Sequence, residues 1–214
     1  GLQVSQVNWF STYHVHHRVA EKFCYRRVFL LGDAAHIHSP AGGQGMNTGI
    51  GDAVNLAWKL ADVINARLNH KILASYESER MAFAKILVKT TDRAFRFVAS
   101  RGWFESIFRA YLLPAIFAFL TNFHWFLRFV FRTISQIKIN YRHIYVGSEK
   151  SGLLHAGDRL PWLKTLDNFA PLKSLDWQIH IYGTTSAEFK MVVINLNLHL
   201  HCFEFNGEAQ KKGG

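Results

Sequence analysis

Arg27 to Leu60 joins a short apolar run, a glycine-rich turn and a helix-forming stretch in one continuous span. Val28 to Leu31 is apolar without interruption, the pattern of a strand covered on both faces, and it stops at Gly32-Asp33. The Asp33 carboxylate is therefore expected at the carboxyl end of a strand. Open α/β sheets bind ligands at that edge, and an aspartate there can accept hydrogen bonds from sugar-like hydroxyls. Pro40 with Gly42, Gly43 and Gly45 shapes a turn that lets backbone approach a ligand closely. Asn47 or Thr48 is expected to cap the following helix, whose apolar stripe runs Ile50, Ala53, Val54, Ala57, Leu60, Ala61 and Ile64. The amino terminus of that helix directs N–H groups into the turn and favours negative charge there by about 0.3 to 2 kcal/mol. These features predict a site for an anionic or polar cofactor. The plainer alternative, a capped packing turn, leaves Gln44, Met46 and Asn47 unexplained.

GDAAHIHSPAGGQGMNTGIGDAVNLAWKL, from Gly32 to Leu60, resembles the second FAD motif of the flavoprotein aromatic monooxygenases, the phenol and hydroxybenzoate hydroxylase group. Ser75-Tyr76-Glu77-Ser78-Glu79-Arg80 resembles the Tyr-x-x-Glu-Arg segment of that family. Ser135-Gln136 with Tyr141-Arg142 is similar to its return strand, and Ala156 to Pro161 to the start of its thioredoxin-like tail. The resemblance implies that Asp33 binds the ribityl hydroxyls of FAD, that Gly32 beside it is part of the cofactor site, and that Pro40 lies near the isoalloxazine face. Gly43, Gln44, Gly45, Met46 and Asn47 would present backbone N–H groups to the pyrimidine end of the ring. The chain departs from the family pattern at Gly51 and Val54, where relatives more often carry glutamine and histidine; a glycine within a helix costs up to about 1 kcal/mol relative to alanine.

Nothing in residues 1–31 provides the Gly-x-Gly-x-x-Gly turn that would hold the ADP half of FAD. Leu196 to Phe205 is a strand-like run followed by Asn206-Gly207, a hairpin-type turn with no second strand after it. Both ends are expected to be truncated. The expected organisation is the end of a substrate-domain sheet in residues 1–17, the carboxyl-terminal part of an FAD-binding domain with a helical segment in 18–150, and a partial thioredoxin-like domain in 151–214. The fold class is α/β, a partial Rossmann-like FAD/NAD(P)-binding domain with an α/β tail.

A formal charge of +10 raises nucleic acid or an anionic membrane as partners. Basic residues are scattered among aromatics and acids, with no Lys/Arg block, which argues against nucleic acid. Cys24 and Cys202 form no C-x-x-C pair, fitting a reducing cytoplasmic compartment and a tail without dithiol exchange. Ala110 to Leu127 is uncharged, yet Pro114, Thr121, Asn122 and His124 interrupt it, so two packed helices joined near Thr121-Asn122 are expected rather than a membrane span. A surface touching a membrane stays open as the weaker reading. His14, His16 and His17, His36 and His38, and His199 and His201 lack a third ligand at a recognisable spacing, so no metal is assigned. His36 reads as a hydrogen-bonding residue of the motif. Glu79 and Arg80, on a helix expected over Lys71 to Thr91, read as a surface ion pair or a carboxylate site, whereas the resemblance implies a link between that helix and the FAD domain.

The resemblance implies an FAD-dependent monooxygenase that uses NAD(P)H and O₂ to hydroxylate a small aromatic, phenolic substrate, with a homodimer left open. No catalytic acid or base is assigned. Alternatives are an epoxidase or dehydrogenase of the same fold acting on an apolar substrate, and a non-catalytic interaction module.

Overall fold

Short antiparallel ladders lead into two long helices in the computed structural model, which describes residues 6, 8–12, 14, 16–39, 43–100, 102–144, 150, 151, 154–204 and 207. The chain divides into two compact units, Gly1–Ile134 and Ser135–Gly214. In the first unit β1 (Arg18–Val19) pairs antiparallel with β4 (His36–Ile37), and β2 (Cys24–Tyr25) pairs antiparallel with β3 (Val28–Phe29). Arg26, at φ 55°, makes the tight turn between β2 and β3. The expected strand Val28–Leu31 is thus shorter and not covered on both faces. Phe29 and Leu30 pack on the core while Val28 and Leu31 are exposed. Asn8–Thr12, expected in a sheet, lies in no strand.

Helix α1 (Gly45–Ile64) and α2 (Leu73–Ala99) follow. A 3₁₀ turn, His70–Ile72, precedes α2, and the Asn69 side chain accepts from the Lys71 N–H at 3.0 Å. No glycine or proline interrupts the chain between Leu73 and Ala99, so α2 runs beyond the expected Thr91. The core gathers Phe23, Ala35, Leu56, Tyr76 and Ala84, with Val19, Ala20, Phe29, Leu30, Leu60 and Met81 around them. Of the apolar stripe of α1, Leu60 packs against this core, but most of the stripe does not. Ile50, Val54 and Ile64 are exposed, and the buried residues of the helix are Thr48, Asp52, Leu56 and Lys59.

Beyond α2 lie α3 (Trp103–Ile107), a π-helical turn at Phe108–Leu112, α4 (Leu113–Leu120) and α5 (His124–Ile134). Pro114 lacks an N–H for the helical ladder, and the preceding turn widens to π geometry. The break falls where the sequence puts it. The Asn122 amide donates to the carbonyls of Ala118 at 3.0 Å and Phe119 at 3.1 Å, closing the end of α4. Phe117 and Phe126 then meet edge to face across the turn, with centroids 5.5 Å apart.

In the second unit β5 (Lys150–Ser151) pairs antiparallel with β6 (Leu154–His155). β7 (Gln178–Tyr182), α6 (Ala187–Asn195) and β8 (His199–Phe203) form a β-α-β unit whose strands run parallel. The Ser186 side chain caps α6, accepting from the Phe189 N–H at 3.1 Å. Asn168, fully buried, accepts from the Leu163 N–H at 2.8 Å and donates to the Pro161 carbonyl and the Tyr182 hydroxyl. The division between units comes earlier than the 150/151 boundary read from the sequence. Tyr141 donates its N–H to the Gly157 carbonyl at 2.7 Å, and Arg142 pairs with Asp158, which ties the 141–142 stretch to the tail. Neither Ser135-Gln136 nor Tyr141-Arg142 forms the expected return strand. Asn206 and Phe205 lie outside the described residues.

Candidate functional site

The Gly32–Ala34 stretch folds as a 3₁₀ turn beginning three residues after the end of β3, with Gly32 at φ +56°. A left-handed backbone at that point favours glycine, and the space is tight as well. A Cβ on Gly49 would stand 3.4 Å from the Gly32 Cα, so the turn and α1 approach backbone to backbone. Asp33, next in the turn, is exposed and makes no hydrogen bond or ion pair among the described residues. An acceptor carboxylate thus stands available at this edge.

Helix α1 begins at Gly45, with Gln44 as its N-cap residue and no side-chain cap. The expected cap by Asn47 or Thr48 does not form, because both already lie inside the first turn; Thr48 donates its hydroxyl to the Gln44 carbonyl at 2.8 Å instead. The first N–H groups of α1 therefore lack a capping side chain and retain their capacity for a ligand. Gly43 adopts φ +61°, and a Cβ there would meet nothing within 4 Å. That leaves open space beside the helix terminus. Met46 and Asn47 are exposed. The Gln44 side chain donates to the Thr133 carbonyl at 3.4 Å, so this residue offers the site its backbone rather than its amide. Pro40 lies outside the described residues.

A buried polar network holds the two halves of this site together. Asp52, 1% exposed, accepts from the Gly32 N–H at 3.0 Å, from His36 Nε2 at 2.7 Å and from Arg80 Nε at 2.6 Å. One carboxylate on α1 therefore joins the Gly32 turn, β4 and α2. Burial pushes the Asp52 carboxyl up, but hydrogen bonds from His36 and Arg80, the Arg80 charge and the Gly32 N–H outweigh it and hold the group below its ordinary value. Arg80 also reaches the Thr48 carbonyl at 3.3 Å. Gly51 makes room for it: a Cβ there would stand 3.0 Å from Arg80 Nη2. The helix-propensity loss at Gly51 thus accompanies a packing role for the missing side chain.

Two turns beyond Asp52, Lys59 donates to Glu79 at 2.8 Å and to Asn55 at 2.9 Å, and Asn55 donates to Glu79 at 2.6 Å. Burial lowers the Lys59 ammonium from its ordinary value, while Glu79 pulls it back through its hydrogen bond and charge. Glu79 and Arg80 are thus buried and paired across to α1, not a surface pair, and they make the link between helix and domain that the resemblance implies. Tyr76 donates its hydroxyl to the Leu30 carbonyl at 2.7 Å, and Glu77 accepts from the N–H groups of Phe23 at 2.7 Å and Cys24 at 3.0 Å. Burial raises the Glu77 carboxyl, but those two N–H groups, with the Cys24 thiol and the Lys22 charge, outweigh it and hold the group below its ordinary value.

Sequence reasoning did not single out Asp52 or Lys59. Their signal was the helical spacing of Thr48, Asp52, Asn55 and Lys59, a polar stripe on a helix otherwise rich in apolar residues, together with Glu79-Arg80 on the next helix. His36 is the hydrogen-bonding residue expected of it. Among the described residues no three metal-ligating side chains converge.

Residues 2–91 match a family model described as the FAD binding domain. The chain is 46% identical over 101 residues to 6-methylpretetramide 4-monooxygenase of Streptomyces rimosus, a match covering 47% of this chain and 18% of that protein. It is 53% identical over 81 residues to 3-(3-hydroxy-phenyl)propionate/3-hydroxycinnamic acid hydroxylase 2 of Burkholderia vietnamiensis, covering 38% of this chain and 15% of that protein. Among solved structures, BexE, studied for oxidation during BE-7585A biosynthesis, superposes with a TM-score of 0.68 at 29% identity, over 92% of this chain and 40% of that one. The anhydrotetracycline hydroxylase OxyS of Streptomyces rimosus gives 0.65 at 26% identity, over 87% and 37%. The chain therefore spans under a fifth of the length of these curated relatives and about two fifths of these solved chains.

Proposed function

We propose that this chain, whose residues 2–91 match the FAD binding domain family, supplies the flavin-facing half of an FAD-dependent monooxygenase that hydroxylates an aromatic, phenolic substrate with NAD(P)H and O₂. The observation that carries the reading is the joining of Asp33, a carboxylate without a partner among the described residues, and an uncapped helix terminus, Gly45 to Asn47, through the single buried residue Asp52. The donor set fits the group. Asp33 would accept hydrogen bonds from the ribityl hydroxyls, with the Gly32 turn keeping its backbone close. The backbone N–H groups of Gly43, Gln44, Gly45, Met46 and Asn47 would be offered to the pyrimidine end of the ring.

When bound, FAD would supply the redox chemistry of a reaction in which NAD(P)H provides two electrons, one oxygen atom of O₂ enters the aromatic ring and the other leaves as water. The residues of this chain bind and orient it. The positive end of the α1 dipole favours the ring in its negatively charged reduced form, and the buried Asp52 network keeps the two contact elements in register without reorganisation. Aromatic hydroxylases among the relatives support an aromatic substrate, and two unpaired cysteines support a cytoplasmic setting. The test is the absorbance spectrum of the purified full-length protein, which is expected to show bound flavin, together with titration of Asp33→Ala with FAD. A colourless protein that takes up no FAD refutes the reading, and undiminished affinity in the variant removes Asp33 from the site.

A further inference from the structure

We propose that the helical segment Trp103–Ile134 docks on an anionic lipid bilayer, lying in its interface rather than crossing it. Trp103, Phe104, Tyr111, Phe119, Trp125 and Phe131 are each between 62% and 77% exposed. Isolated exposed aromatics are ordinary, but a run of them on consecutive helices marks an interaction surface.

The charges identify the partner. Residues 103–134 contain one acidic side chain, Glu105, against Arg109, Arg128 and Arg132. Arg109 is occupied within the chain, donating to the Phe97 carbonyl at 2.8 Å and the Ser100 carbonyl at 2.7 Å. Arg128 and Arg132, one turn apart on α5, are exposed and have no ion-pair partner among the described residues. By helical spacing they form a ridge with Trp125 and Phe129 on one flank and Leu127 and Phe131 on the other, while Phe126 and Val130 turn inward. A protein partner would have to bring carboxylates into the middle of an apolar contact. A bilayer of anionic lipid presents acyl chains to the aromatic flanks and phosphates to the guanidinium groups, whose stems lie along the apolar surface. Tryptophan and tyrosine favour that same boundary.

Trp103–Leu120 is apolar and long enough to be a candidate span by length and composition. Interfacial binding fits better. The segment carries Glu105 and Arg109, contains a π-helical turn at Phe108–Leu112, and breaks at Thr121–Phe123, while the amphipathic α5 keeps its arginines on the exposed side.

The full-length protein is floated through a sucrose gradient with vesicles of phosphatidylcholine alone, or with roughly one third phosphatidylglycerol added. Most of the protein is expected to float with the anionic vesicles, about tenfold less with the neutral ones, and tryptophan emission is expected to shift to the blue on binding. The surface variant Arg128→Gln/Arg132→Gln lowers flotation about tenfold with an unchanged circular dichroism spectrum, and Trp125→Ser/Phe129→Ser lowers it independently. Equal binding to both vesicle types overturns the charge argument. Absence of flotation overturns the proposal: a dimer that Phe131→Glu dissociates then assigns the face to a second copy, and a non-binding monomer assigns it to cover within the protein's own chain.

Discussion

Replacing Asp52 tests how the site is held together. The carboxylate is 1% exposed and accepts from a backbone N–H, a histidine and an arginine that is itself 3% exposed. Asp52→Ala leaves the Arg80 guanidinium buried without its counter-charge, and breaking a buried pair from one side costs about 3 to 5 kcal/mol. Against a typical domain stability of about 5 to 15 kcal/mol, that loss is large. Asp52→Asn keeps the shape and one acceptor, so its cost is smaller, about 1.5 to 3 kcal/mol for the lost charge on the hydrogen bonds. Removing both charges in Asp52→Ala/Arg80→Met should recover part of the loss, since an apolar replacement of a buried pair is often neutral. The assay is urea unfolding of the full-length protein, followed by circular dichroism for the transition that contains these helices. The pH dependence has a definite sign. The folded-state pKa of Asp52 lies below the ordinary 3.8, so its contribution is fully present above that value and is lost as pH falls through the folded pKa. The gap between wild type and Asp52→Asn should therefore be constant through neutral pH and close only in strong acid. A cost under about 1 kcal/mol for Asp52→Ala, or full additivity with Arg80→Met, would refute the network as the element joining turn and helices.

Asp33→Ala should weaken FAD binding roughly ten- to hundredfold, the equivalent of about 1.5 to 3 kcal/mol for a lost charge-assisted hydrogen bond, with little effect on stability because the side chain is exposed. Gly157→Ala should destabilise the second unit by more than about 1 kcal/mol, since φ is +86° and a Cβ would stand 2.5 Å from the Tyr141 carbonyl carbon; a melting temperature unchanged from wild type would count against the Tyr141–Gly157 contact. The second unit should not catalyse insulin reduction, because Cys202 is its single cysteine and no dithiol is available; measurable turnover would overturn the reading of the tail as structural.

Local pattern determined a good deal of this protein. The apolar run Leu196 to Phe205 is a local feature, and β8 lies within it. The same holds for the break at Thr121-Asn122 and for the turn at Gly32, where backbone conformation is a property of the residue itself. The face that α1 turns inward was decided only by tertiary structure. Periodicity marks Ile50, Val54 and Ile64 as its apolar side, yet the helix buries Thr48, Asp52, Leu56 and Lys59. A polar side chain reads as solvent-facing in any local window, because whether its burial is tolerable depends on a partner elsewhere. For Asp52 that partner is Arg80, 28 residues away, and for Lys59 it is Glu79, 20 residues away. Only when α2 lies against α1 do the opposite charges meet at hydrogen-bond distance, and only then does the desolvation that would expel each one alone become tolerable.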